Sequence, residues 1–493
     1  MTKLNGWKIA WAAFLIFLTI STGARGQSFT DLLNFDGRDG AEPYLGPLIQ
    51  GADGAFYGTT EIGGNALACA KVGCGTLFRI TATDEFERLS LPSTNTLPES
   101  GLILATDGSF YGTTEYGGTG SCDNTEFPGC GTIIKVSPTG KLTTIYQFCS
   151  QTRCPDGASP FAPLMEGADG SLYGTTFVGG TGGRGAAFKL TLAGTLTTLY
   201  SFCTQTSCAD GANPSAGLVQ GSDGSFYGTT LEGGNKTCDC GIIFRIAPNG
   251  KFTIVYRFEK PNGAAPNGLT FGNDGNLYGT TYVGGDLNCG PRSSGCGTLF
   301  RMTPSGELTT LYDFESANAG PTGTLALGSD GNLYGTTGGI VNGKLLNDGT
   351  IFEIDTAGTL TTLYTFNDTA GYDPSAGLLQ ATSGEFYGTT LYGGDLTCNG
   401  HSGCGTIFSL DTGLAPFIAL VQATGKIGGT AQILGQGFEG TTTVSFNGTS
   451  ANFTVVSDTY ITATVPPSAT TGYVTVTTPS GVLTSNVPFH VIP

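Results

Sequence analysis

The chain has 493 residues, with 38 Asp and Glu against 21 Lys and Arg, for a formal charge of −17. So acidic a chain is a poor match for nucleic acid or anionic membrane surfaces, which select basic patches. Charged residues make up only 12% and Gly 81 positions, while Val, Ile, Leu, Phe and Tyr recur at regular places; this is a turn-rich all-β composition and excludes disorder.

Residues 1–26 read as a secretory signal peptide, with Lys3 and Lys8, an apolar run from Ile9 to Ile20, and Ala24-Arg25-Gly26 before Gln27. The run is short for a bilayer span, and no later segment is long and apolar enough to be one. The expectation is a mature chain without a membrane span, secreted or held at the cell surface or in the periplasm. Removing the signal leaves 18 bases against 38 acids, a formal −20, and takes both tryptophans, Trp7 and Trp11.

The mature chain opens with a strand-like run, Phe29 to Phe35, that has no neighbour to pair with. The phrase Tyr-Gly-Thr-Thr then returns seven times, at Tyr57, Tyr111, Tyr173, Tyr227, Tyr278, Tyr334 and Tyr387, 51 to 62 residues apart. A period near 50 marks an array of one supersecondary unit. Each unit holds four β-like runs separated by turn signals. The fifth shows Gly268 to Phe271, Leu277 to Thr281, Gly297 to Met302 and Leu308 to Phe314. Asp-Gly turns recur at Asp53, Asp107, Asp169, Asp223 and Asp330, where Gly accepts the positive φ of a hairpin turn. Four antiparallel strands repeated seven times describe a β-propeller, placed at 27–411. The seventh unit stops after Gly405 to Leu410 without its fourth strand. The spare run Phe29 to Phe35 resembles Leu360 to Phe366 and is expected to close the ring there, removing exposed sheet edges.

Asp411 to Pro416 reads as a linker. From 415 to 493 the repeat ends and alternating runs appear at Ala431 to Leu434, Thr443 to Phe446, Tyr460 to Val465, Tyr473 to Thr477 and Val487 to Ile492. They suit a small β-sandwich. The fold class is therefore all-β, a seven-bladed propeller followed by a sandwich.

Fourteen cysteines fall into seven close couples: Cys69/Cys74, Cys122/Cys130, Cys149/Cys154, Cys203/Cys208, Cys238/Cys240, Cys289/Cys296 and Cys398/Cys404. An even count in an exported chain reads as disulfides. A metal reading would need two couples to converge on one ion. The one-residue gap of Cys238/Cys240 leaves its pairing open. In a propeller the loops between second and third strands, and between one blade and the next, emerge on one face. All seven couples fall in such loops, and propellers place binding sites among them. The acids Asp123, Glu126, Asp156, Asp210, Glu232, Asp239, Asp286 and Asp395, with His401 inside the last couple, define the candidate ligand face. Fewer bases (Lys71, Arg153, Arg184, Lys236, Arg292) oppose them. Such a face tolerates neutral sugars, cationic groups or calcium-bridged partners and repels acidic polymers.

Other candidates have a plainer explanation. The seven tyrosines are expected to pack between blades in preference to stacking on sugars. The turn aspartates offer one carboxylate per copy, while calcium needs six to eight oxygens, so turn formation accounts for them. Glu61 and Glu115 follow Tyr-Gly-Thr-Thr, and Glu232 comes one place later; they could meet near one mouth, although two acids at similar strand ends also arise by chance. A lone histidine has no positioned partner. No catalytic residue, cofactor site or metal site is assigned.

The repeats resemble the bacterial GloVer tandem-repeat family of "choice-of-anchor" secreted proteins, over nearly all of residues 28–411. The segment from about Ala415 to Pro493 resembles an IPT/TIG immunoglobulin-like domain in Gly428-Gly429-Thr430, Gly435-Gln436-Gly437-Phe438, Val465-Pro466-Pro467 and Gly472-Tyr473-Val474-Thr475-Val476. These resemblances imply an export signal, a rigid array and an interaction or spacer module, with no characterised chemistry. More distantly, Asp274 to Tyr278 and the Arg-Met-Thr-Pro-Ser-Gly run look like blades of streptogramin lyases, which rely on histidine with a metal. The mature chain has only His401 and His490, so that likeness implies a related fold and not the activity. The expected function is a binding or scaffold module acting through the disulfide-rich loop face, with an extracellular glycan or protein as partner. An extracellular polysaccharide lyase or hydrolase, and a structural matrix component, are the alternatives.

Overall fold

The computed structural model describes residues 27–492, apart from 65–72, 90, 92–94, 123–127, 290–293, 316–319, 339, 342–343, 346–347 and 399–401. The signal peptide expected at 1–26 lies outside the described residues.

Each Tyr-Gly-Thr-Thr is the second strand of a blade, as in Phe56–Thr60, Phe110–Thr114 and Leu333–Thr337. All four positions have a packing reason. In five blades the tyrosine hydroxyl donates to the aspartate of the preceding hairpin, as in Tyr111 to Asp107 at 2.8 Å and Tyr278 to Asp274 at 2.9 Å. In blade 7, where the turn is Ser383-Gly384, Tyr387 donates to Glu385 instead. The tyrosine ring packs on the next blade, against phenylalanine at 4.2 Å for Tyr57 and Phe110 and 3.9 Å for Tyr173 and Phe226, and with leucine for Tyr111 and Leu172 and for Tyr278 and Leu333. Interblade packing is thus what the tyrosines do. A Cβ on Gly58 would fall 2.4 Å from the Phe78 ring, so close-packed strands admit only glycine there. In five blades the first threonine ties its blade to the next, as in Thr59 to the Ser100 carbonyl at 3.0 Å and Thr336 to Ala376 at 3.2 Å. The second threonine is fully buried in every copy and reaches the third strand, as in Thr60 to Thr76 at 2.8 Å.

Seven four-stranded antiparallel sheets result, and the first strands of neighbouring blades touch around the axis. The spare N-terminal strand is Ser28–Asn34, and it pairs with Thr406–Asp411 as the fourth strand of blade 7, with Phe29 opposite Leu410 and Asn34 opposite Thr406. Two further contacts seal the ring: Tyr387 stacks on Phe56 at 4.0 Å, and the Thr382 amide donates to Gln50 across 332 residues.

The C-terminal segment is a sandwich of two sheets. One contains Ala419–Leu420, Thr430–Leu434, Tyr460–Thr464 and Phe453–Ser457; the other contains Thr449–Ser450, Thr443–Phe446, Val474–Thr478 and Gly481–Thr484. Ile433, Val444, Phe446, Ile461, Val474, Val476 and Phe489 form its core. The strands Phe453–Ser457 and Gly481–Thr484 were not expected from the sequence. They are edge strands whose Val456 and Val482 are 57% and 63% exposed, so they lack clean alternation of buried and exposed residues. The sandwich sits on the short hairpins of the propeller. Leu434 and Tyr460 pack with Ile49, Leu104 and Phe110. Thr459 donates to the Ala52 carbonyl at 2.7 Å, Gln422 to Gly167 at 2.7 Å, and Gln432 to Thr106. The opposite face, with the long loops, is left clear of it.

Candidate functional site

Among the described residues the cysteine couples are bonded as pairs: Cys122–Cys130, Cys149–Cys154, Cys203–Cys208, Cys238–Cys240, Cys289–Cys296 and Cys398–Cys404. The Cys238–Cys240 pairing left open by the sequence is local. Cys74 is disulfide-bonded, and Cys69 lies outside the described residues.

These bridges anchor a device that runs round the whole ring. At the start of every blade a residue preceding proline takes left-handed backbone: Glu42, Leu97, Ser159, Asn213, Ala265, Gly320 and Asp373, with φ between 52° and 69°. Its amide donates to the previous blade just before the third strand. Five acceptors are cysteine carbonyls, as in Ser159 to Cys130 at 2.8 Å and Glu42 to Cys404 at 3.0 Å; the other two are Arg184 and Asp348. Its own carbonyl accepts from the residue after Tyr-Gly-Thr-Thr, as in Glu61 to Glu42 at 2.9 Å and Leu391 to Asp373 at 3.0 Å. Left-handed backbone costs a non-glycine residue about 1–2 kcal/mol, so a strained residue is fixed at this place by bonds to two blades.

The clip presents two side chains per blade at the axis. One follows the proline: Tyr44, Glu99, Phe161, Ser215, Asn267, Thr322 and Ser375. The other follows Tyr-Gly-Thr-Thr: Glu61, Glu115, Phe177, Leu231, Tyr282, Gly338 and Leu391. Most of them line a cavity of ≈ 510 Å³ together with Asp373 and Tyr392. Aromatic faces come from Tyr44, Phe161, Phe177, Tyr282 and Tyr392, and the described lining contains no Lys or Arg.

Acids cluster beside Tyr44. Burial pushes the Glu61 carboxyl up to about 7, with repulsion from Glu42 and Glu115 adding to it. Burial likewise raises Glu99, as do its hydrogen bond with Glu115 and the nearby charges of Glu115 and Glu61. Asp373 is pushed up to about 7 by burial, against a hydrogen bond with Ser375. Tyr44 is raised by burial and then by Glu99, Glu61 and Asp373. Carboxyls that hold their protons near neutral pH can donate hydrogen bonds as well as accept them.

Glu61 and Glu115, weighed against chance, therefore do come together at one mouth, with Glu42 and Glu99. Glu232 does not join them; it pairs with Arg184 at 3.4 Å. The expected open acidic face needs correcting at two positions. Asp156 and Asp210 are buried, because they brace the cysteine loops from within. Asp156 accepts the Cys149 amide and the Tyr146 hydroxyl, and Asp210 accepts Thr204, Gln205 and Tyr200. Asp239 accepts the Gly233 amide, Asp286 the Asn288 amide and Asp395 the Thr397 amide, so each organises its own loop. Asp123, Glu126 and His401 lie outside the described residues, as do Lys71 and Arg292. The hairpin aspartates are engaged on the far face, with Asp53 paired to Arg79 at 2.7 Å and Asp107 to Lys135 at 2.7 Å. Most axial residues were missed from the sequence. The signal was present as the position after an invariant Tyr-Gly-Thr-Thr where the seven copies read Glu, Glu, Phe, Leu, Tyr, Gly and Leu.

Comparison with known proteins agrees with this architecture. A fungal alcohol oxidase of the AA5 family, solved in complex with copper, aligns over 95% of this chain and 100% of its own, at 12% identity and a TM-score of 0.54. That likeness shows the fold. The periplasmic gluconolactonase of Pseudomonas aeruginosa aligns over 76% of this chain and 96% of its own, at 17% identity and a TM-score of 0.43. A search of curated proteins finds no match. The profile of the IPT/TIG domain matches residues 416–491, and that of the Gloeobacter/Verrucomicrobia repeat matches 100–338 and 290–436, more than half of the sequence. The chain belongs to the Gloeobacter/Verrucomicrobia repeat family and ends in an IPT/TIG domain, a pairing that fits a binding or scaffold module.

Proposed function

We propose that the protein is an extracellular binding module that holds a small, neutral, polyhydroxylated ligand in its axial pocket, such as the exposed end of a glycan. One observation carries this reading: a cavity of ≈ 510 Å³ whose lining combines aromatic faces with the Asp373 carboxyl, pushed up to about 7, and holds no described base. Aromatic rings stack on the apolar faces of sugars, and uncharged carboxyls satisfy hydroxyls without the cost of burying a charge. Pockets with a few convergent polar groups in apolar walls are the usual form of small-molecule sites. The six described disulfides suit an oxidising compartment.

The test is an array of neutral, acidic and basic oligosaccharides, followed by calorimetry on the strongest neutral hit. Phe177→Ala and Tyr282→Ala should each weaken binding about tenfold, equivalent to about 1.4 kcal/mol. Asp169→Asn and Asp274→Asn, on the hairpin side, should leave it unchanged. Preference for DNA or an acidic polymer, or wild-type binding by both pocket variants, would overturn the reading. One observation favours a hydrolase or lyase as the second reading. Glu99 is a raised acid hydrogen-bonded to Glu115, and a proton-bearing carboxyl beside a second one is a common acid–base arrangement. Following product release on the same array distinguishes the two.

A further inference from the structure

Two cysteine couples meet in blade 2. The Cys122–Cys130 bridge lies between the second and third strands, and Cys149–Cys154 lies in the loop leaving the fourth. All four Sγ atoms fall within 4.8 Å of one another. Cys130 and Cys149 are buried with Phe148 and Ala158, while Cys122 and Cys154 are half-buried.

A second, independent observation lies in the same loop. Asp156 is 8% exposed, and its Oδ1 has no partner among the described residues although Oδ2 holds the Cys149 amide at 3.1 Å. The sister loop, closed by Cys203–Cys208, lacks both features. Both oxygens of its Asp210 accept hydrogen bonds, and the neighbouring stretch 179–185 contains no cysteine. The repeat alone therefore does not impose the arrangement.

We infer that blade 2 carries a convertible four-sulfur site, two disulfides when oxidised and a tetrathiolate site for a thiophilic divalent cation of the zinc class when reduced. Tetrahedral zinc holds sulfur at about 2.3 Å, which places four sulfurs about 3.8 Å apart. The sulfurs of separate bridges, at most 4.8 Å apart, draw in by up to about 1 Å, while those within a bridge part from bonding distance to the same spacing. Thiolates select zinc-class ions over the hard cations that prefer oxygen. Asp156 Oδ2 positions the Cys149 loop by accepting its amide at 3.1 Å.

The conversion balances. Each bridge takes two electrons and two protons from a dithiol reductant, which leaves as its own disulfide. The cation then forms four metal–sulfur bonds and releases four protons.

The test uses the full mature chain, reduced with a dithiol and freed of it, and titrated with cobalt(II) and then zinc. Circular dichroism monitors the fold throughout. The expected result is uptake of a single equivalent by folded protein, with the thiolate-to-cobalt charge-transfer band of a tetrahedral site, displaced by zinc. C149S/C154S should weaken binding at least a hundredfold, and C289S/C296S, which removes an isolated bridge, should leave it intact. Absence of uptake, equal uptake by the two double variants, or unfolding on reduction despite added zinc would overturn the inference.

Discussion

At the scale of single residues, the buried acids make the fold itself pH-sensitive. Glu61 would ordinarily lose its proton near 4.5 and Asp373 near 3.8, but both retain it to about 7 in the folded protein. Between those limits the unfolded chain ionises while the folded one does not. Their contribution is fully present below pH about 4 and is lost as the pH rises through 7, by up to about 3 kcal/mol for Glu61. Urea denaturation should therefore give a higher midpoint at pH 5 than at pH 8. Glu61→Gln should exceed the wild type in stability at pH 8 and show a shallower slope. Equal pH slopes in the two proteins would contradict the burial argument. The Asp373 proton also bears on binding, because this carboxyl lines the cavity: once ionised it cannot donate to hydroxyls, so affinity for a neutral glycan should fall between pH 6 and 8. The pocket was only partly legible in the sequence. The acids near its Tyr44, Glu61 and Glu115, could be singled out because they follow the repeated phrase, but Tyr44 and Asp373 of the lining, and Glu99 near them, lie around prolines with no common side chain. Asp156 and Asp210 could not be told from surface acids, because their burial follows from the fold of each cysteine loop and not from local pattern.

At the scale of elements, the strand Ser28–Asn34 completes blade 7. A chain beginning after Asn34 exposes the edge of Thr406–Asp411 and the buried faces of Phe408 and Leu410, so it should aggregate or lose its cooperative unfolding transition. A truncated chain melting like the intact protein would show that the ring does not depend on this closure. The disulfides act more locally. C289S/C296S opens a short loop and should cost about 2 kcal/mol, read as a lowered denaturation midpoint with blade pairing retained. The repeat, the strand count and the closure were all readable, because hairpin turns and the Tyr-Gly-Thr-Thr packing recur with little change. The left-handed residues before proline were not readable. Glu42, Leu97, Ser159 and Asp373 share a backbone conformation rather than a side chain, and residues before proline ordinarily favour extended backbone.

At the scale of the whole molecule, the sandwich and the pocket occupy opposite ends of the propeller. The sandwich covers hairpins of blades 1 to 3 through Thr459, Gln432 and Gln422. Leu434, 6% exposed in the contact cluster, holds the two parts together by apolar burial. Leu434→Asp should detach the sandwich, measured as a larger radius of gyration in X-ray scattering with the blades still folded. An unchanged radius would mean that the polar contacts suffice. The same arrangement leaves the loop face free for a ligand. The most direct measurement is a crystal structure of residues 27–493 with the tightest-binding neutral oligosaccharide. The account predicts a sugar ring at the axis, stacked on Tyr282 or Phe177, with hydroxyls reaching Asp373 and Ser375. A ligand seated on the sandwich, on the hairpin aspartates, or only among the outer disulfide loops would contradict it.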